Sequence, residues 1–168
     1  MTRQQLSVLG AQPFLRGIPS AQLAELAELC EHVSIPPKQR LFDEGSPAGR
    51  FWVIDAGQVT LDAIVPGQGR VTIETLGRGS VIGLSWMLPP YQWRFGAVAT
   101  QPTQAFVFDA RAVRAACDAD PLLGYELSRR FSAVVVSRLQ ATRARLIEAC
   151  ARLSTPDHMH DLREVNPG

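Results

Sequence analysis

Leu76-Gly77-Arg78-Gly79-Ser80-Val81-Ile82-Gly83-Leu84-Ser85-Trp86-Met87-Leu88-Pro89-Pro90-Tyr91-Gln92-Trp93-Arg94-Phe95-Gly96-Ala97 is the stretch on which the reading of this chain turns. Three glycines punctuate its first half, and a glycine allows a tight turn or the close approach of a ligand to the backbone. After Gly83 the sequence reads as a short helix start, whose free N–H groups donate to an oxyanion. Arg94 follows, and its guanidinium fork grips the same kind of group. The pattern is that of a small anion site.

Outward from this segment, residues 40–109 have the texture of short strands. Phe51–Ile54, Gln58–Val65, Arg70–Leu76, Ala97–Thr100 and Ala105–Phe108 are β-branched or aromatic, with glycines between them. Val59-Thr60-Leu61-Asp62-Ala63 and Val71-Thr72-Ile73-Glu74-Thr75-Leu76 alternate apolar and polar residues, so each lays one face on a core. Several short strands with regular turns predict a small barrel or sandwich.

Helical patterns flank it. Thr2–Leu15 predicts a helical lead-in. Ser20 is the expected N-cap of a helix carrying Leu23, Leu26, Ala27 and Cys30, and Pro36-Pro37 breaks the chain after it. Asp109 is placed to cap a short helix, and Asp120-Pro121 to open a long one. On that long helix Val135, Leu139, Thr142, Leu146, Ala149 and Leu153 fall at alternating four- and three-residue spacings. This is a heptad seam, read as a homodimer contact; Phe131 and Val134 widen the stripe toward the helix's own domain.

Composition narrows the function classes. The 168 residues carry a net charge of +1, with 46% hydrophobic and 20% charged residues, which describes a globular chain with no global pull toward nucleic acid or membrane. No apolar run approaches the roughly 20 residues of a membrane span, and Met1–Gly10 does not read as a signal peptide. Cys30, Cys117 and Cys150 form no CxxC motif, so the expected setting is a reducing cytoplasm, with each thiol a small apolar residue. G-x-S-x-G, H-E-x-x-H and P-loop motifs are all missing, so the chain is not expected to be an enzyme or to need a cofactor or metal. His158-Met159-His160 reads as part of a flexible tail, 154–168.

At this point the chain resembles the cyclic-nucleotide-binding domain family, the β-roll of bacterial cyclic-AMP receptor proteins and of kinase regulatory subunits. Phe42-Asp43-Glu44-Gly45-Ser46 resembles the family's E-G-[DS] turn, and Ile54-Asp55-Ala56-Gly57-Gln58-Val59 its I-x-x-G-x-V hairpin. Leu76–Gly83 resembles L-G-x-G-x-x-x-G, and the family's Gly-to-Arg spacing is kept in Gly83 and Arg94. Arg138-Leu139-Gln140-Ala141-Thr142 resembles R-L-Q-x-T of the receptor protein's dimer helix. The resemblance implies a mainly β fold, a jelly-roll-like double-stranded β-helix over about 32–109. One domain, 1–153, would hold it together with the long helix of about 120–153.

It also implies roles. Arg94 would pair with a cyclic phosphate of cAMP or cGMP. Backbone groups of Gly83, Leu84, Ser85 and Trp86 would add donors, Phe95 would flank the arginine, and Thr142 would meet the adenine. Leu84 stands where the family places a glutamate that accepts the ribose 2′-hydroxyl, and a hydroxyl buried without a partner costs about 1–3 kcal/mol. Phe95 replaces a small residue. Against these roles stand plainer ones. Arg94 pairs with a carboxylate such as Asp55 or Glu74, or is simply exposed; Trp86, Tyr91 and Trp93 fill core or cover an edge. Arg129, Arg130, Arg138, Arg143, Arg145 and Arg152 read as a solvated face, or else as a contact for an acidic partner protein or a nucleic-acid phosphate. The expected function is ligand sensing by a dimer that signals to an unknown protein partner. The alternative is a degenerate adaptor dimer that binds no nucleotide. With only residues 154–168 after the long helix, operator binding is not expected.

Overall fold

A computed structural model of the chain describes residues 2–153. The tail reading of 154–168, with His158 and His160, lies outside the described residues. Two compact units divide the chain, Met1–Phe131 and Ser132–Gly168.

The first unit opens with α1 (Arg3–Ala11) and α2 (Ser20–Glu28). Thr2 caps α1 in a capping box with Gln5. The lead-in is shorter than the expected Thr2–Leu15, because the chain after Ala11 turns through Gln12–Gly17. Ser20 is not the N-cap of α2. Pro19 holds that position with no side-chain cap, and its carbonyl accepts from Leu23 N at 2.9 Å. Cys30 likewise leaves the helix and begins a strand, so the spacing Leu26–Cys30 carries across an element boundary.

Eight strands follow: β1 (Cys30–Ile35), β2 (Arg40–Phe42), β3 (Arg50–Ala56), β4 (Val59–Val65), β5 (Gly69–Leu76), β6 (Val81–Ile82), β7 (Gly96–Ala99) and β8 (Thr103–Asp109). They form two antiparallel four-stranded sheets, ordered β1-β8-β3-β6 and β2-β7-β4-β5. Successive strands swap sheets except at the β4–β5 hairpin, which stays within the second sheet, and this is the jelly-roll arrangement expected. In the first sheet Phe51 lies opposite Phe108, and Val53 opposite Phe106. Cross-strand partners share a face, so three phenylalanines line one side. The Phe51 and Phe108 rings stack at 4.6 Å with planes 2° apart.

That face takes the helices. Asp109 caps α3 (Ala110–Ala119) through Ala112 N at 2.7 Å, and Asp120 accepts from Leu122 N at 2.9 Å where α4 (Pro121–Leu153) opens, both as the sequence predicts. Leu123, Leu127 and Phe131 on the first turns of α4 are buried. The Phe131 ring meets Phe14 at 4.7 Å and Phe51 at 5.4 Å, while Arg130 donates to the Phe14 carbonyl at 2.7 Å. From Ser132 onward α4 belongs to the second unit, and Val135, Leu139 and Leu146 are exposed there. No helix among the described residues is long and apolar enough to cross a membrane.

Candidate functional site

The cassette, Gly83–Arg94, hangs between β6 and β7. Pairing of Val81 and Ile82 with Val53 and Trp52 delivers the chain to Gly83. There φ is +84°, and a Cβ would sit 2.7 Å from the indole of Trp93. Both facts require glycine. The sequence reads Gly83 as room for a ligand; in the structure the Trp93 ring makes the close approach.

Trp93 is buried and stacks on Phe42 at 3.9 Å, with Trp52 at 6.0 Å. Its strand-like segment is held by the Asp43–Ser46 turn. Gly45 N donates to Trp93 O at 2.8 Å, Trp93 N to Ser46 O at 2.9 Å, and Ala48 N to Tyr91 O at 2.7 Å. The E-G-S turn seen in the sequence is therefore a clamp on the second half of the cassette.

The first half is anchored differently. Ser85–Met87 form a single 3-10 turn, and Trp86 drives it into the core. The Trp86 ring stacks on Phe51 at 4.9 Å and meets Phe131 edge-on at 5.3 Å. Arg114, on α3, donates to the Trp86 carbonyl at 2.8 Å and lies 4.5 Å over the Tyr91 ring. Trp86 and Trp93 thus fill core, as the plainer reading has it, and Tyr91 meets a cation. Sequence reading missed Arg114, which nothing near the cassette motif announces.

Arg94 is exposed, with no hydrogen bond or ion pair among the described residues. Asp55, one carboxylate proposed for it, accepts instead from Gln12 at 3.0 Å and lies 3.3 Å from His32. His32, on β1, thereby meets a carboxylate on β3. The N–H groups of Leu84 and Ser85 have no backbone acceptor among the described residues. Leu84 is half-buried and Phe95 is 42% exposed, so Phe95 does not plug the roll. Thr142 lies in the second unit, where its hydroxyl accepts from Arg145 at 3.4 Å.

A second group escaped the sequence reading. Asp62 is buried on β4 and takes both terminal nitrogens of Arg40, at 2.9 and 3.0 Å, and Arg70 at 3.2 Å. Asp43 joins them, 3.0 Å from Arg70; its approach to Arg40 Nε, 2.8 Å, is ionic rather than an aligned hydrogen bond. The hydrogen bonds from Arg40 hold the Asp62 carboxyl below the usual range, with the charges of Arg40 and Arg70 adding to them. Gly96 touches this pair: a Cβ there would collide with Arg40 and Asp62. The one signal was an aspartate in a strand with arginines, Arg40 and Arg70, on the stretches before and after it.

A cavity of about 570 Å³ opens beside β1 and β2, with Glu31, Arg50, Trp52 and Asp109 on its walls and no cassette residue among them. Burial pushes the Cys30 thiol beside it up to about 12, so it is no nucleophile at neutral pH. Among the described residues no three His, Cys, Asp or Glu side chains gather as a metal site.

The cyclic nucleotide-binding domain model matches residues 32–120, just over half of the 168. The chain belongs to the cyclic nucleotide-binding domain family. Solved structures share the fold. A cyclic nucleotide-binding domain from Methylobacillus flagellatus is 20% identical, with a TM-score of 0.74 over 92% of this chain and 84% of that one. The Thermus thermophilus catabolite activator protein is 19% identical, with a TM-score of 0.64 over 82% and 63%. The regulatory domain of Toxoplasma gondii PKA, crystallised with cAMP, is 13% identical, with a TM-score of 0.61 over 75% and 49%. No curated protein matches the chain. Membership of this cyclic nucleotide-binding family gives the coarse role, a regulatory ligand-binding domain.

Proposed function

We propose that this domain senses a small phosphate-bearing anion, cAMP, cGMP or a close relative, with Arg94 as its charge partner. The observation that carries the reading is Arg94 itself. Arg40, Arg70, Arg114, Arg129 and Arg130 each have a protein acceptor or ring. Arg94, like Arg78 and Arg111 among others, is exposed with none among the described residues, and of these it is the one on the cassette. The N–H groups of Leu84 and Ser85, which have no backbone acceptor among the described residues, lie on the same cassette. Phosphate suits this set, because guanidinium and backbone donors both form charge-assisted bonds to it. Occupancy would pass to α4, with Thr142 registering the base, as a shift between two helix populations that the ligand binds unequally.

Trp93 favours a second reading. Its ring fills the space that Gly83 leaves bare, and Leu84 offers a ribose no acceptor. A domain closed in this way acts as an adaptor without a nucleotide.

Thermal unfolding with millimolar cAMP, cGMP and a 5′-monophosphate, beside Arg94→Ala, separates the two. Ligand at a hundredfold excess over Kd stabilises by about 2.7 kcal/mol. The sensor reading expects a shift with a cyclic nucleotide that is lost in Arg94→Ala. No shift with any of the three overturns it and leaves the adaptor.

A further inference from the structure

Apart from Thr142, the second unit presents a face that cassette chemistry does not use. Along Ser132–Leu153 the heptad seam places Leu139, Leu146 and Leu153 at a and Val135, Thr142 and Ala149 at d. Leu139 is 67% exposed, Leu146 62% and Leu153 87%. The flanking positions are as regular as the seam. Position g is arginine in three successive heptads, Arg138, Arg145 and Arg152; position e carries Val136, Arg143 and Cys150. Glu148, the one acid from Ser132 to Leu153, falls at c, away from the contact.

Residues at e and g choose the partner of a coiled coil, because g of one helix faces e of the other in a parallel pair and g in an antiparallel one. With a second copy, parallel pairing sets Arg138 against the second copy's Arg143. Antiparallel pairing sets the g arginines against one another. Either way like charges meet beside the seam, which acts against self-pairing.

We infer that this face docks an amphipathic helix of a second protein, with apolar residues at a and d and glutamate or aspartate at e and g. Acidic e and g residues turn each of the four flanking arginines into an attractive contact, while the leucines leave water. Nucleic acid fits less well, because phosphate contacts would satisfy the arginines and strand the leucine row in solvent. The inference does not depend on what Arg94 binds.

The test uses the full chain and two synthetic helices of about four heptads, both with Leu at a and d, one with Glu and the other with Lys at e and g. Calorimetry should show the Glu helix binding at least about tenfold more tightly, four favourable pairs against four unfavourable ones. The preference should collapse in 1 M salt, where screening reaches about 3 Å. In the triple variant Arg138→Glu, Arg145→Glu, Arg152→Glu it should invert; the comparison on the unaltered chain stands even where that variant folds poorly. Equal binding of the two helices, or binding of neither, overturns the proposal. So does a micromolar homodimer by sedimentation equilibrium that low salt does not weaken, which would make a second copy the occupant. Duplex DNA bound more tightly than the Glu helix overturns it as well.

Discussion

Arg40 and Arg94 serve the same sheet in opposite electrostatic states. Arg40 lies on β2, where Asp62 takes both its terminal nitrogens and Asp43 approaches Nε. Arg94 stands two residues before β7 with no acceptor among the described residues. The first arginine is consumed by the fold: it ties β2 to β4, and with Arg70 draws in the Asp43–Ser46 turn that clamps the cassette. The second contributes nothing comparable to stability and remains available to an external anion. Motif and charge alone do not separate two such arginines; acceptors delivered by neighbouring strands do.

The largest effect should come from the consumed side. Asp62→Asn removes the charge beside two arginines in a mostly buried pair and should destabilise by about 2–3 kcal/mol, read as a shift in the urea midpoint. Because the native Asp62 pKa is depressed, its contribution is complete above the ordinary carboxylate range. It is lost as pH falls through the native value. The melting-temperature gap between the parent and Asp62→Asn should therefore stay constant from neutral pH to about 5 and narrow in stronger acid. A gap that widens in acid would break the comparison, since Asp62 would then not be the charged partner of Arg40.

Gly83→Ala tests the boundary between the two regions. It forces a side chain into φ +84° and against the Trp93 ring, which is itself wedged on Phe42. A non-glycine residue in a sparsely populated region costs about 1–3 kcal/mol, and the effect should be smaller than that of Asp62→Asn. Near-neutral stability would mean that Trp93 swings away easily, and the space beside Gly83 would then be ligand space after all.

The sequence revealed most where a pattern repeats locally. The Asp109 and Asp120 caps and the glycine-marked turns describe neighbours along the chain, and the β-roll followed from them. The one-faced alternation expected of β4 and β5 did not hold, since Val59, Thr60, Leu61 and Asp62 are all buried and β5 has no buried residue. Short strands were harder. β2 and β6 have three and two residues, and their pairing, not their composition, makes them strands. Side-chain direction was hardest. Gly83 reads identically whether a phosphate or an indole lies over it, and Asp62 reads as an outward polar residue until Arg40 and Arg70 arrive from other strands. Arg94 was legible as a cassette arginine, but its lack of a partner among the described residues is visible only in the structure, where Asp55 accepts from Gln12 instead.

Arg94→Ala should have the smallest effect on the folded protein and the sharpest consequence for function. An exposed side chain without acceptors contributes little, so stability should change by less than about 0.5 kcal/mol in denaturant unfolding without ligand. A larger loss would expose a hidden internal role and erase the contrast with Arg40. With stability unchanged, any ligand-induced shift that vanishes in this variant reports binding alone. Asp62→Asn, by contrast, can lower affinity only by loosening the sheet that carries the cassette. Comparing the two variants at equal distance from their own midpoints therefore separates the arginine that binds from the one that builds.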